Sequence, residues 1–120
     1  MKFTHTKGVN NYRVIGITLA LIVILALALS AFFVRKSYED NLRPVSTVEK
    51  THVFTVEPGS TTGQIADTLK GKGIIKSDWA FEWYVRNHQL RDQIKAGTYV
   101  LSESQSVPEI IDIIVEGKVA

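Results

Sequence analysis

The chain has 120 residues, 45% of them hydrophobic, a formal net charge of +2 and no cysteine. Val14–Val34 alone places 18 hydrophobic residues in 21 positions, which excludes an ordinary soluble protein and leaves too little chain for a multi-domain enzyme. The excess positive charge lies in the first 34 residues, where Lys2, Lys7 and Arg13 face no acid. Residues 35–120 carry 11 basic and 12 acidic side chains, so no nucleic-acid surface is expected, and the lack of cysteine excludes disulfides, thiolate zinc sites and cysteine nucleophiles.

Residues 1–13 form a short polar flank. Residues 14–34 contain no charge, and Leu, Ile and Ala alternate without an amphipathic stripe, as a helix with lipid on all sides requires. At about 1.5 Å per residue, 21 residues span roughly 31 Å, close to the ~30 Å hydrocarbon core. Arg35 and Lys36 close the run sharply. A cleavable signal peptide is the competing reading, with Ala26-Leu27-Ala28 as its small-residue site. The apolar run continues past that site through Phe32, Phe33 and Val34, longer than the roughly 7–15 residues of a signal core. The expectation is therefore an uncleaved, single-pass transmembrane helix in the cell membrane. Counting Lys and Arg on the two sides does not decide its orientation. The size of the C-terminal part favours a cytoplasmic 1–13 flank and an extracytoplasmic remainder.

Residues 35–51 are polar, mixed in charge and contain Pro44, and read as a stalk of at most about 60 Å at roughly 3.5 Å per residue. Its first part is able to continue the membrane helix up to the residues before Pro44. Over His52–Glu57, Phe54 and Val56 share one face and Val53 the other, predicting a strand that ends at Pro58-Gly59. Thr61 with Gln64 three residues on makes a capping box for a helix carrying Ile65, Ala66 and Leu69, stopped by Gly71 and Gly73. Ile74 and Ile75 connect to a second helix capped by Ser77 or Asp78. Trp79/Trp83 and Phe81/Val85 are both i,i+4 pairs in it, and at that spacing the tryptophans are expected in the core. Leu90 and Ile94 lead to a second strand at Thr98–Leu101. Ser106 and Glu109, with Pro108 in the first turn, cap a third helix rich in isoleucine and ended by Gly117. The predicted folded region, 52–120, is an α+β unit in the order strand, helix, helix, strand, helix.

Its acids fall on polar helix faces or in caps, and none is embedded in an apolar run as a general acid requires. His5, His52 and His88 lie in separate segments without metal-ligand spacing. No catalytic residue, metal or cofactor is therefore expected. The turn around Gly59, Ser60, Thr61 and Thr62 and the approach Ile94, Lys95, Ala96 and Gly97 should meet at one end of the two-stranded sheet. Their backbone groups and hydroxyls suit a polar, sugar-like ligand, although ordinary turn chemistry explains the same residues. Trp79, Trp83, Tyr84 and Tyr99 are candidates for stacking on sugar rings.

Six short runs occur in a characteristic order: Phe54-Thr-Val-Glu-Pro-Gly-Ser-Thr-Thr, Gln64-Ile-Ala-Asp-Thr-Leu, Gly73-Ile-Ile-Lys-Ser, Lys95-Ala-Gly-Thr-Tyr-Val-Leu, Ser106-Val-Pro-Glu-Ile-Ile and Glu116-Gly. Together they resemble the N-terminal part of the YceG-like endolytic murein transglycosylases (MltG) over about residues 53–118. The resemblance implies a LysM-like βααβ module with one extra C-terminal helix behind a membrane anchor. It implies that Gly59, Ser60, Thr61, Thr62, Ile94, Lys95, Ala96 and Gly97 form a glycan groove, Ser60 standing where many such modules have an acid. It implies peptidoglycan glycan strands and the lipid bilayer as partners, and cell-wall synthesis proteins as further ones, with no nucleic acid. The family's catalytic glutamate, in a run like Ala-Ser-Ile-Ile-Glu-Lys-Glu, has no counterpart here, so the chain is expected to be a truncated form or a short relative acting without turnover. The alternative is a membrane-anchored protein-interaction module with no glycan affinity.

Overall fold

The computed structural model describes residues 2–120, with side chains from Asn11 onward. Lys2, His5 and Lys7 of the N-terminal flank lie outside the described side chains. The chain divides after Ser37 into two units. The first consists of the N-terminal part of α1 (Lys2–Leu42). Its uncharged run 14–34 is exposed at every position, and Asn11–Leu42 is long and apolar enough to cross a membrane. Within the uncharged run the Thr18 hydroxyl donates to the Val14 carbonyl at 2.7 Å and so needs no partner outside the helix.

The second unit begins at Tyr38. The helix ends at Leu42, two residues before Pro44, whose ring disfavours helical backbone in the residue preceding it. Leu42 packs against the core. The segment read as a stalk then lies along the folded part. Ser46 N–H donates to the Glu103 carbonyl at 3.1 Å, and Glu103 N–H donates to the Lys50 carbonyl at 3.0 Å. The Glu103 carboxylate adds a 2.6 Å hydrogen bond with His52 Nε2.

β1 (Thr51–Val56) and β2 (Gly97–Ser102) form an antiparallel pair running from Thr51↔Ser102 to Val56↔Gly97. β1 starts and ends one residue earlier than predicted, and β2 extends one residue beyond each predicted end. Side-chain alternation buries Phe54, Val56, Tyr99 and Leu101 and leaves Val53, Thr55, Thr98 and Val100 outside.

α2 (Thr62–Gly71) starts at the expected capping box. Thr61 Oγ1 accepts from Gln64 N–H at 3.1 Å, and Gln64 Oε1 accepts from Thr61 N–H at 3.0 Å. Two otherwise orphaned amides are thus satisfied, so Thr61→Ala is expected to cost about 1 kcal/mol, measurable as a lower urea midpoint. Ile65, Ala66 and Leu69 face inward.

Ser77 caps α3 (Asp78–Asn87). Here one expectation is overturned. Trp79 and Trp83 are 42% and 49% exposed, whereas Phe81 and Val85 are buried. At about 100° per residue, positions 79 and 81 lie roughly 200° apart, so a single helix cannot turn both i,i+4 pairs to one core. Ala80, Phe81 and Val85 make the inner stripe. Tyr99 is also removed from the sugar-stacking candidates: it is fully buried, and its hydroxyl donates to the Lys95 carbonyl at 2.6 Å.

A short 3-10 turn, Arg91–Gln93, leads to β2, and α4 (Val107–Glu116) follows it. Ser106 and Glu109 make the second capping box, and Gly117 closes α4 in the left-handed conformation, φ +71. Ile110, Ile111 and Ile114 complete a core against the sheet, α2 and α3. The last residues return along β2, where Ala120 N–H donates to the Thr98 carbonyl at 2.8 Å.

Candidate functional site

The register pairs Val56 with Gly97, so the turn that follows β1 and the segment that enters β2 share one end of the sheet. The turn continues into the first turn of α2. Ser60, Thr61, Thr62 and Gly63 line one side of an open cleft of about 450 Å3 there, closed by Glu82 of α3 and by Arg91 and Asp92 of the 3-10 turn.

Each hydroxyl in this cleft has a different degree of freedom. Ser60 donates its hydroxyl hydrogen to the Glu57 carbonyl at 2.7 Å, leaving its oxygen as an acceptor. The Thr61 oxygen is occupied by the Gln64 amide. Among the described residues, Thr62 makes no side-chain hydrogen bond. Glu82 approaches the start of α2 so closely that a Cβ at Gly63 would stand 3.0 Å from its Oε1. A carboxylate there complements the partial positive charge of the helix N-terminus. Arg91 and Asp92 are exposed and make no ion pair among the described residues.

The second predicted segment lies at the same end of the sheet but outside the lining of this cleft. Gly59 is the exposed tip of the turn, with φ +82. Ile94 packs against the core. Lys95 is tied to α4: its N–H donates to the Ile114 carbonyl at 3.1 Å, and its ammonium reaches the Glu116 carbonyl at 3.5 Å. Ala96 is exposed. Gly97 has φ +152, and a Cβ there would stand 2.6 Å from Val119 Cγ1, so the tail seats only on a glycine. The structure thus brings Ser60, Thr61 and Thr62 together with Glu82, Arg91 and Asp92, while Lys95 is bonded to α4 and Ile94, Ala96 and Gly97 stay outside the cleft lining.

The three added residues escaped a reading of local patterns because Glu82 reaches the site only when α3 packs on α2. Arg91 and Asp92 did leave a signal. Leu90 and Ile94 both pack on the core, and charged residues between two such anchors are forced outward.

The cleft is open and largely polar, with acceptors in Glu82 and Asp92, a fork of donors in Arg91 and dual-purpose hydroxyls. That set recognises a hydroxylated or amide-bearing ligand by hydrogen bonds. It does not hold a carboxyl in the apolar surroundings that general acid catalysis uses. Among the described residues, no three His, Cys, Asp or Glu side chains gather as a metal site.

Residues 54–120 match the model of the YceG-like family. The endolytic murein transglycosylases of Streptococcus pneumoniae strains D39 and R6 are 28% identical over 98 residues, which cover 81% of this chain and 18% of theirs. The chain therefore spans about a fifth of the length of these curated relatives. The crystal structure of a yceG-like protein from Listeria monocytogenes aligns with a TM-score of 0.57 at 26% identity, covering 61% of this chain and 24% of that one.

Proposed function

The chain belongs to the YceG-like family, and on that premise we propose that residues 52–120 form a LysM-like module that binds or positions murein glycan strands. Residues 14–34 anchor it in the cell membrane with the module on the extracytoplasmic side. The observation that carries this reading is the polar cleft, which falls inside the family-matched region and is built from the turn after β1. A glycan strand offers hydroxyls, N-acetyl amides and, on its substituents, carboxylates. Glu82 and Asp92 accept from the hydroxyls, Thr62 and Ser60 pair with hydroxyls or amides, and Arg91 takes a carboxylate or carbonyl through two N–H donors. Where a glycan-cleaving domain accompanies it, the module delivers the strand to that domain.

The test is a titration of the full chain in nanodiscs with purified glycan strands, followed by calorimetry, with the strands afterwards checked for cleavage. Saturable binding is expected, weakened about tenfold or more in an Arg91→Ala, Asp92→Asn double variant, the equivalent of about 1.4 kcal/mol. Equal affinity in the variant would remove the cleft from the site. No binding by the folded chain would leave the module a positioning or protein-contact role, and cleaved strands would assign turnover to residues 1–120 themselves.

A further inference from the structure

The outer face of α3 borders the cleft at Glu82, which stands three residues from Trp79 and four from Arg86. Trp79, Trp83 and Arg86 recur at i, i+4 and i+7 and so line one side of the helix. The two tryptophans are 42% and 49% exposed, and they are the only tryptophans of the chain. The Tyr38 ring lies 6.0 Å from that of Trp79, tilted by 40°, and makes a third member of the patch. Two large half-exposed indoles beside a cation, with the Glu82 carboxylate at the edge toward the cleft, are an unusual face to leave in water.

The position of Tyr38 in the chain puts one candidate cover within reach of this face. Val34, the last residue of the apolar run, precedes Tyr38 by four residues. Whatever path they take, four residues reach at most about 14 Å, and Trp79 is one ring contact beyond Tyr38. The headgroup layer on each side of the hydrocarbon core is about 5–8 Å deep. Tryptophan and tyrosine concentrate in that layer because the ring is apolar and the N–H or O–H is wet. Arginine adds attraction to lipid phosphates. A sugar or a protein groove also accepts tryptophan, but neither is fixed to this chain within a few residues of the patch.

We propose that Trp79 and Trp83, with Tyr38 beside them and Arg86 against the phosphates, seat in the headgroup layer of the bilayer and fasten the folded unit to the membrane surface. This inference rests on the anchor assigned to residues 14–34. It adds a second, reversible contact to the covalent one and keeps the glycan cleft close to the membrane.

The test uses the full chain reconstituted in vesicles of phosphatidylcholine and phosphatidylglycerol. Emission comes from Trp79 and Trp83 alone. It is expected to be quenched strongly by a headgroup nitroxide, weakly by a deep acyl-chain nitroxide, and about threefold less by aqueous iodide than in the urea-unfolded chain. A Leu25→Cys variant carrying an environment-sensitive dye reports the anchor separately, since the chain has no other cysteine. Dye in hydrocarbon with shallow-quenched tryptophans supports the proposal. Dye in hydrocarbon with tryptophans open to iodide and insensitive to both nitroxides overturns it and leaves the anchor standing. Dye in water overturns the anchor and this inference with it. Tryptophan emission that responds to added glycan strands and not to lipid quenchers assigns the face to sugar and also overturns it.

Discussion

Phe81→Ala is expected to destabilise the folded unit by about 3–5 kcal/mol, the usual cost of emptying a fully buried aromatic site. Phe81 is 0% exposed, and it lies in the core with Leu69, Tyr99 and Ile110. α3 is only ten residues long, too short to hold its helical form without packing. Loss of the ring therefore loosens α3 itself and with it the Glu82 side of the cleft. Small domains hold about 5–15 kcal/mol in total, so the variant should be largely unfolded at modest urea concentrations where the parent chain is intact. Urea titration followed by circular dichroism measures this. The companion Trp83→Ala, on the opposite side of the same helix, should cost under about 1 kcal/mol. Equal losses in the two variants would contradict the assignment of inner and outer faces.

Tyr99→Phe is expected to cost about 1–3 kcal/mol, because it removes a single oxygen and leaves the Lys95 carbonyl without its buried donor. The ring still fills its place, so packing is unchanged and the loss reports the hydrogen bond. That bond holds the segment entering β2 against α4, and Tyr99 also lies within 3.5 Å of the Ile114 carbonyl. The same phenol gives a pH signature. Burial pushes the Tyr99 hydroxyl above its ordinary value near 10. Its contribution is then fully present below about pH 10, where the unfolded side chain is still neutral, and is lost as pH rises from there through the folded value. The parent chain should lose stability on that alkaline limb with a steeper slope than Tyr99→Phe. Identical slopes would mean that other tyrosines carry it. Tyr38 and Tyr84, both raised mainly by burial, are the next to substitute.

The parts of this fold that were legible in the sequence are those that local chemistry decides. The Thr61/Gln64 and Ser106/Glu109 boxes fix the starts of two helices by hydrogen bonds spanning three residues, and alternation assigns Phe54 and Val56 to the inner face without any knowledge of β2. The tryptophans were misplaced because α3 carries two apolar pairs, and only the neighbouring α2, α4 and sheet select between them. The site was half legible for the same reason. Ser60, Thr61 and Thr62 belong to one turn, but Glu82 and Arg91 arrive from 20 and 30 residues away in sequence, and Lys95 is held instead by a helix that starts at Val107.

If residues 14–34 anchor the module as proposed, the clasp at Glu103 and the docking of Leu42 shorten the tether that joins the two. A free tether running from Arg35 to Thr51 would let the cleft explore a hemisphere about 60 Å in radius, whereas a tether ending at Tyr38 allows about 14 Å. Volume scales as the cube of reach, so the shorter tether raises the effective concentration of the module near its own anchor by roughly 80-fold. On the proposed glycan binding, a modest intrinsic affinity would then suffice for strands being laid down close to the membrane, while strands in more distant layers would be beyond reach. Selectivity for newly made wall would in that case come from tether length, with no need for the cleft to distinguish old glycan from new.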